Sequence, residues 1–412
     1  LFVPVVRGVR ERLADDPPFV TAWDDTLFRK SGTKIPGAGY RRDPLSPPFH
    51  THLVRGQRFI QLSACLPAGE GCGPARAIPV RLEHRPPLPK PRKSAPDEEW
   101  SAYRKARKTQ NLSTPAAKIF QQMRDEWDAR HDAADHILLA TVDGSYTNKT
   151  VLRSLPQRTT LVGRIRKDAK LFHPPHDQDQ PGVGAKRKYG SQAPTPEQLR
   201  QDDGMPWEVV TAFGAGKTPP FRVKTLTPVL WKKAGPNQPL RVVVIAPVGY
   251  RPRKGSKMLY RQPAYWIGTD PDLPLDQLIQ QYLWRWDIEV NHRHEKPIIG
   301  VGQAQVWSAR SVDRQPALAV AGYAMLLLAA ARAFDIDAIH GTLPPPKWQT
   351  HRTNQRLSTE ELIRQSRREV WAYTLDRLNA NSDDFATTPS AFTKSQKLDL
   401  PVASALLYAS AG

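Results

Sequence analysis

The chain of 412 residues is long enough to bury the core of one large domain or of two ordinary domains. Its 60 Lys and Arg residues against 40 Asp and Glu residues give a net charge of +20, which favours a polyanionic partner, most often nucleic acid. The two cysteines, Cys65 and Cys72, are too few for a disulfide framework or a Cys-rich zinc site, and they fit a reducing cytoplasm.

The first predicted elements are strands. Residues 18–26, PFVTAWDDT, form a short apolar run that ends in two aspartates. Residues 50–67 show two further apolar runs, broken by Arg55 and Gly56, so the sequence predicts two more strands there. The Pro-rich, basic stretch 84–110 is typical of a loop or linker.

A helix and a second group of strands follow. We expect a helix with Ser113 or Thr114 as its N-cap and Pro115 in its first turn. Residues 136–143, HILLATVD, predict a buried strand that again ends on an aspartate, followed by a short helix and a strand at 159–167. The predicted order is therefore three strands, helix, strand, helix, strand.

Most of the excess positive charge lies in the middle of the chain. Residues 149–261 contain 22 Lys and Arg against 7 Asp and Glu, a local net charge of +15. Strand-like runs, FRVKTLTPVLWKK and LRVVVIAPV, punctuate this part, which indicates a basic, β-rich insertion. Helices then dominate, and the apolar run 317–334 is too short for the ~20 residues of a membrane span, so we expect a buried core helix.

The stretch YLWRWDIEVNHRHEK, residues 282–296, places four polar side chains on one side of a helix. At about 100° per residue, Tyr282, Arg285, Glu289 and Lys296 fall within an arc of about 60°, and Pro297 ends the helix. One interpretation is a solvated ion-pair stripe built on Arg285 and Glu289. The other is a metal ligand flanked by phosphate-binding groups.

Two neighbouring histidines do not add an obvious metal site to this stripe. His292 and His294 are two positions apart, so on a helix they face different directions and do not form an i,i+4 metal pair. We expect both to be solvated or to face phosphates.

The spacing Tyr, two residues, Arg, three residues, Glu, six residues, Lys resembles the signature of bacterial transposases of the insertion-sequence-four type. Two further segments resemble the acidic motifs of these DDE enzymes. WDDTLFRKSGTKIPGAG is similar to the first motif, with Asp24 at the catalytic position and Asp25 as the alternative. ATVDGSYTNKTVLRSLPQRTTLVGRIRKDA is similar to the second, with Asp143 at the end of a strand.

The resemblance implies an α/β fold with a ribonuclease-H-like, retroviral-integrase-like catalytic core, a β-rich basic insertion and a helical C-terminal part. The expected boundaries are 1–171 for the first part of the core, 172–262 for the insertion, 263–335 for the rest of the core and 336–412 for the C-terminal region. An end-recognition domain ahead of Leu1 is a further expectation, because such enzymes often read their ends with an N-terminal module.

The resemblance also implies the chemistry. Asp24, Asp143 and Glu289 would hold two Mg²⁺ ions, with Mn²⁺ as a substitute, roughly 3.5–4 Å apart. The expected reaction is cut-and-paste transposition, in which double-stranded DNA is nicked at the transposon ends and joined to target DNA. The expected assembly is a homodimer on DNA, in the bacterial cytoplasm with the nucleoid and without a membrane partner.

The same resemblance suggests the DNA contacts. Arg285 and Lys296 would bind phosphates and Tyr282 would position the strand. Core packing is the default for any tryptophan, and among those in or beside the basic insertion Trp231 is the best candidate to stack on a flipped base instead. Arg164 and Arg166 alternate on a predicted strand and either face DNA or are exposed edge charges.

Three rival interpretations remain open at this point. An inactive or domesticated descendant would bind DNA without cutting it. A ribonuclease-H-like nuclease would have the same metal site but no strand-transfer activity. A basic scaffold protein would have no such site, and its carboxylates would not converge.

Overall fold

The computed structural model describes residues 1–13, 18–43, 46–47, 49–68, 73–109, 111–129, 136–176, 184–334 and 357–380. Its main feature is a mixed sheet with helices on both faces. The strands are β1 (Phe19–Arg29), β2 (Gly39–Arg42), β3 (Leu53–Pro67), β4 (Ala75–His84), β5 (Leu138–Val142), β6 (Thr159–Arg164), β7 (Leu171–Phe172), β8 (Glu208–Thr211), β9 (Pro220–Trp231), β10 (Gly235–Ile245), β11 (Gly249–Tyr250), β12 (Leu259–Tyr260) and β13 (Ala264–Gly268). The helices are α1 (Val3–Arg10), α2 (Asp97–Thr109), α3 (Ser113–Asp128), α4 (Lys149–Leu152), α5 (Pro196–Gln201), α6 (Leu275–Trp284), α7 (Trp286–Glu295), α8 (Ala309–Phe334) and α9 (Thr359–Ala380).

Eleven of the described strands belong to this sheet. Its order is β3, β1, β5, β6, β13, β10, β9, β7, with β2 and β4 paired to the outer edge of β3 and β8 paired to β9. β1, β5 and β6 are parallel, whereas β3, β4 and β13 run antiparallel to their neighbours. This mixed α/β arrangement is compatible with the predicted ribonuclease-H-like fold.

The central strand β5 forms because its residues are mostly apolar and are covered on both faces. All five residues of β5 are buried, as is typical of a strand with helices over both faces. The buried hydroxyls on these strands are also paired, since Thr21 Oγ1 donates to the Leu139 carbonyl at 3.2 Å and Thr141 Oγ1 donates to the Thr21 carbonyl at 3.1 Å. The predicted strand, short helix and strand between residues 136 and 167 are confirmed.

Three local predictions were wrong. Arg55 and Gly56 do not break a strand, because β3 runs unbroken from Leu53 to Pro67 and pairs with β1 through Gly56. The predicted loop 84–110 contains α2, whose first turn carries three acidic residues and whose last turn carries two basic ones, a charge order that suits the helix dipole. At the start of α3 the capping oxygen is Asn111 Oδ1, which accepts from the backbone N–H groups of Ser113 and Thr114.

Each face of the sheet has its own helices. α1, α3 and α8 cover one face, where Trp23 stacks on Phe120 with ring centroids 3.8 Å apart. α6 and α7 cover the other face, on which Val20, Ala22 and Leu139 point toward the helices. Side chains alternate along a strand, so the position of a residue in β1 or β5 decides which set of helices it meets.

The insertion predicted at residues 172–262 is strand-rich in the structure. Its strands β9 and β10 continue the central sheet through β13. The domain boundaries given above stay a prediction. Cys72 lies outside the described residues, whereas Cys65 is buried in β3 and is not in a disulfide.

α8 contains the apolar run of the sequence. By length and composition it could cross a membrane, yet 67% of its apolar window is buried inside the protein. Tyr323, Leu327 and Leu328 pack in the core, as the sequence predicted for residues 317–334. Of the predicted C-terminal region 336–412, the structure describes residues 357–380, most of which form α9.

Candidate active site

Three polar residues share one row at an edge of the parallel strands. The pairing of β1 with β5 stops at Trp23 and Val142, and the pairing of β5 with β6 stops at Val142 and Gly163. The next residues along these strands are Asp24, Asp143 and Arg164. The expectation that Asp24 ends its strand was wrong, because β1 continues to Arg29 against β3, but the residue does mark the end of the parallel pairing.

The two adjacent aspartates of β1 face opposite sides of the sheet. Asp25 lies on the side of Trp23, where its Oδ2 accepts from Arg58 Nε at 2.7 Å and its Oδ1 accepts from Tyr146 Oη at 3.5 Å. Asp24 lies on the side covered by α6 and α7. Asp24, rather than Asp25, is therefore the residue beside Glu289.

The helix predicted for residues 282–296 is divided at Arg285. α6 ends at Trp284 and α7 begins at Trp286, and the backbone N–H of Arg285 bonds to the carbonyl of Tyr282 three residues earlier. Arg285 itself keeps helical backbone angles at this junction. α7 ends at Glu295, ahead of Pro297, as the sequence predicted.

α7 carries two polar stripes. The first, formed by residues 287, 291 and 295, anchors the helix to the sheet. Asp287 Oδ2 accepts from the backbone N–H of Ala77, and Asn291 Nδ2 donates to the Ala77 carbonyl at 3.0 Å. Gln61 Nε2 donates to Glu295 Oε1 at 2.7 Å. Residues 287, 291 and 295 are four apart and share one face, so these bonds fix both the position and the rotation of α7.

The second stripe points toward Asp24. The guanidinium of Arg285 lies between two carboxylates, with Nη1 3.7 Å from Asp24 Oδ2 and Nη2 3.8 Å from Glu289 Oε1. Asp24, Glu289 and His292 each offer a ligand atom, and the three atoms lie within 4.8 Å of one another. The Arg285–Glu289 ion pair of the first interpretation is present, but only its carboxylate is solvated, because the Arg285 side chain is 11% exposed and that of Glu289 is 41% exposed.

The site concentrates negative charge in a partly dry environment. Burial, followed by the nearby Glu289 carboxylate, raises the pKa of Asp24 to about 8, although Arg285 opposes the shift. The rise comes mainly from the cost of burying a charged carboxylate, and the nearby Glu289 carboxylate adds to it. A divalent cation would supply compensating positive charge, and carboxylate oxygens are the ligands that Mg²⁺ and Mn²⁺ accept, so the residues fit a metal site.

His292 was expected to be solvated or to face a phosphate, and the solvated alternative was wrong. Only 7% of the residue is exposed, and its Nε2 is buried without a hydrogen bond to any described group. Burial, followed by the charges of Lys296 and Arg285, lowers the pKa of His292 to about 3, so the ring is neutral. His294 is also not free in solvent, because its Nδ1 lies 2.9 Å from Thr359 Oγ1.

Lys296 stands at the C-terminal end of α7, close to the same carboxylates. Burial lowers the pKa of Lys296, while Glu295, Glu289 and Asp24 act in the opposite direction. The influence of Glu289 and Asp24 shows that the ammonium group is close enough to the site to contribute to its electrostatic field.

Asp143 is held by its own turn. Its Oδ1 accepts from the Ser145 backbone N–H at 2.9 Å and from Ser145 Oγ at 2.6 Å, and Thr147 Oγ1 donates to the Asp143 carbonyl. The turn packs closely on β6 at Gly163. A Cβ at this position would collide with Thr147 Oγ1, so the close packing requires glycine. The ligand group within 4.8 Å contains Asp24, Glu289 and His292 and does not include Asp143.

Arg164 and Arg166 occupy different environments. Arg164 ends β6, and its charge acts on Tyr282, whose ring lies 4.1 Å from that of Trp266 and which is 7% exposed. The expectation that Arg166 continues the strand was wrong, because β6 ends at Arg164. Arg166 is exposed and pairs with Asp168 at 2.9 Å.

The two tryptophans of interest differ in exposure. The base-stacking assignment of Trp231 was wrong and its core alternative is confirmed, because the residue is 7% exposed in β9 and belongs to the core, with Lys233 Nζ 4.7 Å from its ring centroid. Trp286, at the start of α7 beside Arg285, is 67% exposed. The sequence analysis did not single out the exposed Trp286, and it did not place His292 beside Glu289, although the Glu-x-x-His spacing of residues 289 and 292 was a signal for that position.

One known protein family matches the chain. The family model for DDE superfamily endonucleases matches residues 5–235, which is more than half of the chain. The matched part includes Asp24 and Asp143 and ends before α6. No curated protein and no solved structure matches the chain.

Proposed function

Because the chain belongs to the DDE superfamily of endonucleases, we propose that it is a DNA transposase of the cut-and-paste kind. The coarser function, a nuclease that acts on DNA and uses divalent metal ions, follows from the family. The observation that carries the proposal is the convergence of Asp24 and Glu289, 265 positions apart in the sequence, on the two ends of one guanidinium.

Asp24, Glu289 and Asp143 are proposed to hold the metal ions. Asp24 and Glu289 already share a ligand group, and Asp143 is next to Asp24 across the parallel strands. When bound, a pair of such ions supplies an activated oxygen nucleophile and stabilises the leaving oxygen of a phosphodiester. Mg²⁺ and Mn²⁺ are the proposed ions, since the ligands are mainly oxygen atoms.

The basic residues around the carboxylates are proposed to bind phosphates of the DNA. Arg285 offers a planar fork whose geometry suits a phosphate. Lys296 adds a point charge at the end of α7. Arg164 lies in the same row as Asp24 and Asp143 at the end of the parallel strands. Tyr282, near Arg164, would limit the position of the bound DNA strand.

The distribution of charge agrees with a DNA substrate. The +15 local charge of residues 149–261 would attract the phosphate backbone and release counterions on binding. Trp286, exposed at the start of α7, takes over the base-stacking role first assigned to Trp231. A dimer on DNA remains part of the proposal because two transposon ends must be brought together.

The experiment that tests the proposal uses the DNA sequences that flank the coding region of this chain as candidate ends. The protein is incubated with that DNA, a target plasmid and Mg²⁺, and the products are sequenced. Joined end–target products support a transposase. Nicks without joined products indicate a nuclease without strand transfer, and binding without nicks indicates an inactive descendant; either result contradicts the proposal.

A further inference from the structure

Glu289 and His292 stand one turn apart on α7. Residues three positions apart share a face of a helix, and both face Asp24 across the gap between α7 and β1. The spacing Glu-x-x-His allows one helix to present a carboxylate and an imidazole to the same metal ion. The helix is fixed in this orientation by the bonds of Asn291 and Glu295 to the sheet.

The distances suit a shared ion. The ligand atoms of Asp24, Glu289 and His292 all lie within 4.8 Å of one another. In a six-coordinate shell with bonds of about 2.1 Å, ligand atoms are about 3.0 Å apart when adjacent and about 4.2 Å apart when opposite. The side chains of Asp24, Glu289 and His292 would move inward to bind one ion, and their ligand atoms already face a common point.

One nitrogen of the imidazole has no hydrogen-bond partner among the described residues. His292 Nε2 is buried and makes no hydrogen bond to a described group, although the residue is only 7% exposed. A buried polar atom without a partner is costly, and such atoms in native proteins usually have a ligand or a function. His294, two residues later, shows the opposite situation, because Thr359 Oγ1 lies 2.9 Å from its Nδ1.

We propose that His292 is a nitrogen ligand of the metal site formed with Asp24 and Glu289, and that it makes this site prefer Mn²⁺ over Mg²⁺. Mg²⁺ favours a shell of oxygen ligands, whereas imidazole is a good ligand for first-row transition ions. The inference rests on the proposed function, in which this site holds a divalent ion. His292 therefore determines which ion is held, beyond the three carboxylates expected from the sequence.

Pulsed electron paramagnetic resonance of Mn²⁺ bound to the full chain tests the inference without an activity measurement. A coordinated imidazole couples its ¹⁴N nucleus to the Mn²⁺ electron spin. The wild-type chain should show this ¹⁴N modulation, the variant His292→Gln should lose it, and the control His294→Gln should keep it. Because the wild-type spectrum alone reports nitrogen coordination, the test does not depend on the folding of a variant.

A competition titration of Mn²⁺ against Mg²⁺ gives the second readout. His292→Gln should lower the preference for Mn²⁺ by about tenfold or more, the scale seen when groups that tune a metal site are lost. Mn²⁺ binding that depends on Asp24 but shows no ¹⁴N modulation would overturn the role of His292 and leave the proposed function standing. A wild-type chain that binds no Mn²⁺ would overturn both.

Discussion

Arg285 Nη1 lies 3.7 Å from Asp24 Oδ2, so a residue at the junction of two helices contacts the strand that carries the first acidic residue. The same guanidinium reaches Glu289 with its other terminal nitrogen. Its position lowers the repulsion between the two carboxylates.

Replacing the lysine at the end of α7 should weaken DNA binding in a salt-dependent way. For Lys296→Ala we expect a lower affinity for any DNA sequence and a slope of log affinity against log salt that is less steep by about 1. Fluorescence anisotropy from low to physiological salt measures both quantities. Arg364→Ala is the control, because Arg364 pairs with Glu360 on α9; equal slopes for the two variants would contradict the assignment.

The two tryptophans should respond differently to truncation. Trp286→Ala should leave stability unchanged but weaken binding to single-stranded DNA by about 1–3 kcal/mol, the value of one base–aromatic stack. Trp231→Ala should instead destabilise the fold by about 3–5 kcal/mol, because it removes a buried ring. Urea unfolding of both variants measures the effect on stability, and DNA titration measures the effect on binding. A binding defect confined to Trp231→Ala would show that Trp231, not Trp286, stacks on the base.

Glu295 should make stability depend on pH. Burial is the main reason that the pKa of Glu295 rises from 4.5 to about 8. Between these two values the folded chain holds more protons than the unfolded chain, so stability falls as the pH rises through this window. The slope from this one group should approach about 1.4 kcal/mol per pH unit.

The matched variant for this prediction is Glu295→Gln, which keeps the oxygen that accepts from Gln61 and cannot ionise. We expect the variant and the wild type to be similar in stability near pH 4.5 and the variant to be more stable at pH 8. Urea midpoints measured at intervals of half a pH unit give the difference. Parallel curves for the two proteins would show that Glu295 is not buried as a neutral acid.

The sequence predicted those parts of the site that depend on local spacing. The Arg285–Glu289 pair could be placed on one stripe because a helix has a short period. Asp24 and Asp143 were chosen because the segments that contain them resemble the acidic motifs of DDE enzymes. The continuity of β3 through Arg55 and Gly56 could not be predicted, because it depends on pairing with the neighbouring strand β1. The exposure of Trp286 and the burial of Trp231 and His292 depend on tertiary packing, which a single sequence does not specify.

The most direct test of the proposed active site compares two adjacent residues of β1. Asp24→Asn should reduce Mg²⁺-dependent nicking of DNA by at least about 100-fold while leaving DNA binding and folding intact, because Asp24 is the residue that meets Glu289. Asp25→Asn should keep nicking activity, because Asp25 faces the opposite side and pairs with Arg58. Nicking that survives in Asp24→Asn, or that is lost only in Asp25→Asn, would contradict the site described here.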